Sequence, residues 1–324
     1  MNTNEQEVMD QEYMESVVNK EIPLIIYHAS CMDGLGALWA AHQWLGEIEP
    51  FAGSYGKTPP DVTDRVVYIL DFSYPREVLI EMQAKAKELV VLDHHESAMQ
   101  NLEGLEFAHF DMSKSGAVLA WEYFAQVVFG EADTPADMEA TYVPEILLYI
   151  QDRDIWKFEL PDSKEVSEYL RAVINWDGVV DDNLMTLDNI DEYWEDQYEN
   201  IVDIGTTILA NRDKQVAETV SGVFYLDFNL EGRIYDIPCC FSVFSIRSEV
   251  GHALASLPDN EYKVGVSIQG MHNGKFGLSF RGLEGTDLAL SLAKTFGGGG
   301  HKCASGAAIG VTELAGMLHH ATTK

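Results

Sequence analysis

Six side chains of metal-binding type punctuate the N-terminal part of the chain: His28, Asp33, Asp71 and the run Asp93-His94-His95. Carboxylate oxygen and neutral imidazole nitrogen are the usual donors to divalent transition ions. Two ions held a few ångströms apart need several carboxylates, one of them shared. Asp152 and Asp154, in LLYIQDRDIWKF, add two further acids at the end of an apolar helix. Each residue alone has an ordinary reading, because an Asp after a strand caps a helix or shapes a turn and a His pair is often a satisfied core group. Their joint placement is what points to chemistry.

That placement follows from the elements. LIIYH (24–28), VVYIL (66–70) and LVVL (89–92) are continuous apolar runs of strand length. A turn at Asp33-Gly34 and the helical stretch LGALWAAHQWL follow the first run; PREVLIEMQAKAKE, with Pro75 at its first turn, separates the other two. Apolar strands alternating with helices predict a parallel sheet covered on both faces, with function gathered at the strand C-terminal ends. His28, Asp33, Asp71, Asp93, His94 and His95 all fall there. Trp39 and Trp44 lie inside the first helix and are read as core.

Further helices are expected through 115–129, 136–150 and 163–174. Between Asp177 and Asp203 the chain has ten acids and no Lys or Arg, while Ile190, Trp194, Tyr198 and Ile201 keep helical spacing. This reads as a helix with one apolar stripe and a solvated acidic face. From 222 onward strand-like segments (GVFYLDF, KVGVSIQ, KFGLSFRG) alternate with helical ones (EVGHALASL, DLALSLAKTF), and FGGGGHKCASGAA precedes a short helix, TELAGMLHHA. The expected class is α/β: a parallel-sheet N-terminal domain and a smaller α/β C-terminal domain joined by a helical linker. The boundaries are an acidic extension 1–20, a first domain 21–180 that carries the metal-binding types, an acidic helical linker 181–220 and a second domain 221–324.

Consecutive glycines let a backbone approach an anion and present N–H donors without Cβ interference, so Gly298, Gly299 and Gly300 are candidate phosphate contacts, with His301 beside them as a donor. Arg281, on a strand leading toward that loop, can grip a phosphate through two parallel hydrogen bonds. Tight hairpin packing and a surface ion pair are the ordinary alternatives.

Lys plus Arg number 21 against 53 Asp plus Glu, a formal charge of −32. Affinity for long nucleic acid comes from basic surface and counterion release, so neither a long strand nor an anionic membrane is expected as partner. Four cysteines without a CxxC pair suit a reducing compartment. The polar, acidic first twenty residues show no secretory signal, and no apolar run reaches the ~18 residues of a membrane span. A soluble cytoplasmic protein is expected.

VVLDHHES, with Asp71 upstream and HASCMDGLGA before it, resembles the DHH phosphoesterase superfamily. FGGGGHKCASGAA resembles the GGGH signature of the DHH-associated C-terminal domain, and the resemblance spans residues 24 to 310. It implies a phosphoesterase with two Mn²⁺ ions, Mg²⁺ or Co²⁺ being substitutes, in the first domain and a second domain that holds the substrate's far end. Carried over by position, Asp71 matches the bridging carboxylate and His94 a ligand. Asp33 matches the Asp before Gly in the first motif, and His28 that motif's leading His. Asp152 matches the late Asp ligand, with Asp154 competing for the role. Asp93 and His95 match groups behind the ligands or at the phosphate, in a catalytic part.

Cys31 departs from the pattern, standing where many members carry Asp. It is a spectator, a ligand for a softer ion, or the mark of a degraded site. The implied reaction is hydrolysis of short oligonucleotides or linear dinucleotides to mononucleotides by metal-activated water, short substrates being favoured by the acidic charge. Alternatives are a cyclic dinucleotide phosphodiesterase, a single-strand exonuclease and a non-catalytic nucleotide-binding regulator. Oligomeric state, a homodimer included, is open.

Overall fold

The computed structural model describes residues 21–129, 142–174, 180–192, 194–271 and 274–323. The acidic extension 1–20 lies outside them. Two compact units emerge, each discontinuous in sequence. The first comprises the described parts of Met1–His94, Gly104–Lys157 and Ile174–Tyr193, the second those of His95–Glu103, Phe158–Val173 and Trp194–Lys324.

In the first unit, five strands form one sheet: β1 (Leu24–His28), β2 (Glu49–Gly53), β3 (Val66–Leu70), β4 (Glu88–Asp93) and β5 (Ala108–Phe110), in the order β2-β1-β3-β4-β5. Every pairing is parallel, as the unbroken apolar runs require. Tyr27 is level with Leu70, and Leu70 with Leu92. The residues that follow each of these, His28, Asp71 and Asp93, therefore line one sheet edge. Helices α1 (Met32–Leu45), α2 (Arg76–Gln83), α4 (Gly116–Phe129) and α5 (Glu145–Asp154) belong to this unit. Its core includes Ile25, Ile26, Ile69, Leu70, Val91, Leu92, Trp39 and Phe124, all buried. Helix α3 (Glu96–Asn101), directly after the His pair, belongs to the second unit.

The second unit holds a six-stranded sheet ordered β10-β11-β9-β8-β7-β6, from β6 (Phe224–Leu230), β7 (Arg233–Phe241), β8 (Val264–Gly270), β9 (Phe276–Gly282), β10 (Gly299–Gly300) and β11 (Ala304–Ile309). Only β7 and β8 run parallel. Alternation sends Val264, Val266, Ile268, Leu278 and Phe280 into one core with Ala289, Leu292 and Leu314. Cys240, Val250 and Leu254 form a second cluster. The adjacent Cys239 and Cys240 thus join different clusters, and both are free thiols.

The acidic stretch is not a single linker. It forms α7 (Val180–Glu192) in the first unit and α8 (Trp194–Val220) in the second, where α6 (Ser163–Val173) also lies. Trp39 and Gln43 of α1 donate to Asp188, each at 2.6 Å, which ties α7 to the first unit. Helix α8 is fixed to α6 by the Arg212–Glu168 ion pair and by Gly205, where a Cβ would stand 2.0 Å from the Glu165 carbonyl oxygen. Of the expected stripe residues, Ile190 in the first unit and Trp194 and Ile201 in the second are buried, whereas Tyr198 is only half-buried. The helix expected at 136–150 is seen over Glu145–Asp154, its first half lying partly outside the described residues. No helix among the described residues is long and apolar enough to cross a membrane.

Candidate functional site

At the sheet edge of the first unit, His94 is the hub. Its Nε2 lies 3.1 Å from Asp71 Oδ1, 3.4 Å from Asp33 Oδ2 and 3.5 Å from Asp154 Oδ2. His28 Nδ1 stands 3.4 Å from the other Asp71 oxygen, Oδ2. Ligand atoms of Asp33, Asp71 and His94 all lie within 4.8 Å of one another, and all three residues are buried. Asp71 Oδ2 is buried and accepts no hydrogen bond among the described residues. Such a lone pair is costly without a proton or cation partner. The donor set and this open acceptor fit divalent ions.

The electrostatics are those of a cluster awaiting cations. Burial raises the Asp71 pKa, but the neighbouring imidazoles of His28 and His94 outweigh it and hold the carboxyl well below the usual range. Burial, then the neighbouring carboxylates of Asp71 and Asp154, push Asp33 well above it. Burial works against protonated His94, yet Asp71, Asp154 and Asp33 push its pKa up to about 11.

Local structure positions each group. Asp33 lies in the first turn of α1, and its two oxygens accept the Gly116 and Ala117 amides of α4 at 2.5 and 2.9 Å. A carboxylate at a helix N-terminus is well placed for that. Asp71 has φ of +55°, and its N–H donates to Leu92. This left-handed backbone, tolerated by Asp, turns the carboxyl across the strand ends. Gly116 is demanded by the same contact, because a Cβ there would stand 2.4 Å from Asp71 Cβ. Asp93 is fully buried: one oxygen accepts the Ser73 hydroxyl at 2.5 Å, the other the His94 amide at 2.7 Å. Those bonds make it an anchor for the turn that carries His94, so the expected catalytic part does not suit its geometry. Ser73 and Gly116 had no signal in the sequence beyond their proximity to strand and helix ends.

Of the two late acids, Asp154 reaches His94. Asp152, two residues earlier, is buried. Cys31 sits at the N-cap of α1 and joins no ligand cluster among the described residues. Burial and the carboxylates of Asp71, Asp154 and Asp33 push its thiol up.

The second unit carries the other candidates. Arg281 pairs with Ala304 across β9 and β11, close in the sheet to the glycine hairpin. Its guanidinium donates to the Phe280 carbonyl at 2.9 Å and the Ser248 hydroxyl at 2.8 Å. The His301 ring stacks on His95 with centroids 4.7 Å apart. The expectation of a glycine amide cradle is corrected. Gly298 N–H donates to Ala293 and Gly300 N–H to Ser97 Oγ, both at 3.0 Å. The glycines answer to packing instead: a Cβ on Gly298 would stand 2.1 Å from the Gly306 oxygen, and Gly300 has φ of +129°. Gly299 is paired with Gly306 in the antiparallel hairpin, so it too is part of the strand ladder.

No family model matches the chain. An uncharacterized protein of Acanthamoeba polyphaga mimivirus is 25% identical over 325 residues, covering 91% of this chain and 69% of the relative. The solved DHH domain of a member of a family of ribosomal proteins is similar with a TM-score of 0.53 at 12% identity, covering 92% of this chain and 85% of that one. RecJ from Thermus thermophilus in complex with Mn²⁺ gives a TM-score of 0.48 at 12% identity, covering 95% and 52%. The chain shares the fold of that solved DHH domain.

Proposed function

We propose that this protein is a divalent-metal-dependent phosphoesterase of the DHH superfamily that hydrolyses short oligonucleotides or linear dinucleotides to mononucleotides. The observation that carries the proposal is the buried Asp33–Asp71–His94 cluster at aligned strand ends, with Asp71 Oδ2 open. His28, Asp33, Asp71, His94 and Asp154 would hold the ions, Asp71 serving both because its two oxygens face different imidazoles. A bound divalent pair, Mn²⁺ by preference, supplies a water acidic enough to deprotonate near neutral pH and neutralises charge on the phosphoryl oxygens. The net step forms a bond from water oxygen to phosphorus and breaks the bond to the leaving ribose oxygen, which takes up a proton.

The chain's own residues prepare that step. The α4 amides lock Asp33, Ser73 and Asp93 lock the turn before His94, and His94 would have to give up its proton to serve as a ligand. Arg281, His301 and His95 belong to the part that binds the rest of the nucleotide. With −32 on the whole chain and 21 cations, a short substrate meets far less repulsion than a long strand.

A substrate series of two to thirty nucleotides, with Mn²⁺, Mg²⁺, Co²⁺ or chelator, tests the reading. Turnover that requires metal, with kcat/KM falling steeply from two to five nucleotides, is expected. No turnover of any phosphodiester with any of the three ions overturns the enzymatic reading. Equal kcat/KM at two and thirty nucleotides overturns the length preference and favours an exonuclease.

A further inference from the structure

Tyr55 is an aromatic residue exposed beside the metal-ligand cluster. Gly53, the last residue of β2, is level with His28, and the Ala29 amide donates to its carbonyl at 2.9 Å. The chain then reverses over Ser54–Lys57, closed by the Lys57 amide donating to Ser54 at 3.1 Å, with Gly56 at φ of +76°. Positive φ at the third position is the signature of a turn that needs glycine there, which leaves Tyr55 as the projecting side chain. Its ring meets His28 edge-on with centroids 5.6 Å apart and packs on Phe72 at 4.8 Å. Phe72 is fully buried and braced in turn by Tyr74 at 4.8 Å. A Cβ on Gly53 would crowd the Phe72 ring at 3.2 Å, so the glycine makes room for this support. Tyr55 nevertheless stays 58% exposed.

A large ring left in water, held from behind by a buried ring and placed beside a residue of the metal centre, suits a flat ligand. We infer that Tyr55 is a stacking platform for the nucleobase flanking the scissile phosphate, so that a nucleotide rather than a base-free phosphate chain is the substrate. This rests on the proposed phosphodiester hydrolysis. Stacking a base on an aromatic side chain contributes about 1–3 kcal/mol whatever the base, which is about 5- to 150-fold in affinity. Discrimination between bases is therefore not expected from this residue, whereas discrimination against a missing base is. A neutral base also suits a rim whose neighbours are carboxylates better than a second phosphate would.

The test compares a dinucleotide with analogues abasic at one end or the other, on the wild type, Tyr55→Phe, Tyr55→Leu and Tyr55→Ala. Alongside it, equilibrium binding of a nucleoside monophosphate is compared with that of ribose 5-phosphate. The wild type should prefer the base-bearing substrate by about 5- to 150-fold in kcat/KM at one end. Tyr55→Ala and Tyr55→Leu should collapse that ratio toward one, and Tyr55→Phe should keep it. The binding ratio should follow the same order. An unchanged ratio in Tyr55→Ala overturns the inference, because the ring is then only a brace for His28. If the wild type cleaves nothing, the hydrolysis reading fails by itself, and the binding ratio decides Tyr55.

Discussion

The metal-ligand cluster of the first unit and the glycine hairpin of the second use buried polar groups in opposite ways. At the strand ends, three carboxylates and an imidazole crowd together, and Asp71 Oδ2 is left with no hydrogen bond among the described residues. In the hairpin, the Gly298 and Gly300 amides are engaged by Ala293 and Ser97, and the missing side chains relieve contacts with the neighbouring strand. Helix α3 is drawn onto this hairpin, with Lys302 beside Glu96 at 3.4 Å and Lys294 donating to Gln100 at 3.0 Å. Crowded ligand-type groups with an acceptor left open mark a place for a ligand. Satisfied donors and tight backbone packing mark a frame.

That contrast is sharpened first by removing its centre. Asp71→Asn should lower kcat by more than about 100-fold at saturating Mn²⁺, beyond the roughly 10–100-fold that residues behind metal ligands are worth. Circular dichroism should show the fold retained, since the change removes charge from a crowded carboxylate cluster. Near-normal turnover would remove Asp71 from the centre.

Metal and proton should compete next. With its pKa pushed up from 6.5 to about 11, His94 contributes stability to the metal-free protein that is fully present below about pH 6.5 and lost as pH rises toward 11. Metal must displace that proton, so Mn²⁺ affinity should climb with pH across this window, by up to about tenfold per unit. Calorimetry in buffers of differing ionisation enthalpy should detect proton release, and an affinity flat from pH 6.5 to 9 contradicts it.

Two glycine substitutions then separate frame from centre. Gly116→Ala and Gly298→Ala should each cost about 1–3 kcal/mol through overpacking, read as a lower urea midpoint. Only Gly116→Ala should also weaken Mn²⁺ binding, because its Cβ strikes Asp71 and not a distant strand. Equal metal affinity in both variants would erase the distinction. The smallest effect belongs to Cys31→Ser, which should stay within several-fold of wild type in kcat/KM, since the thiol joins no ligand cluster. A loss above about 100-fold would make Cys31 a ligand.

Much of the first unit was legible in the amino-acid order. Parallel strands buried on both faces must be apolar throughout and must end at a common edge, so the residues just past LIIYH, VVYIL and LVVL could be aligned from the letters alone. His28, Asp71, Asp93 and His94 fall at that edge in the structure. The second unit was legible as strands and helices, but β7, with Pro238 and alternating polar residues in RIYDIPCCF, was not anticipated, nor were the short strands β2, β5, β10 and β11.

Tertiary structure alone decided the rest. Asp152 and Asp154 are equivalent as letters, and only the approach of Asp154 to His94 separates them. Asp33 is a ligand candidate and also a cap for α4, a helix more than eighty residues away, a relation that local pattern does not encode. The glycines of the hairpin could have faced an anion, until neighbouring strands and α3 engaged their amides. Tyr55 was indistinguishable from the core aromatics until a turn held it out beside His28. The sequence by itself determined the strands, their common edge and the ligand types, because burial and periodicity act over a few residues. Which of those groups meet, and which are already satisfied, depends on contacts between distant segments, and these exist only once the chain has packed.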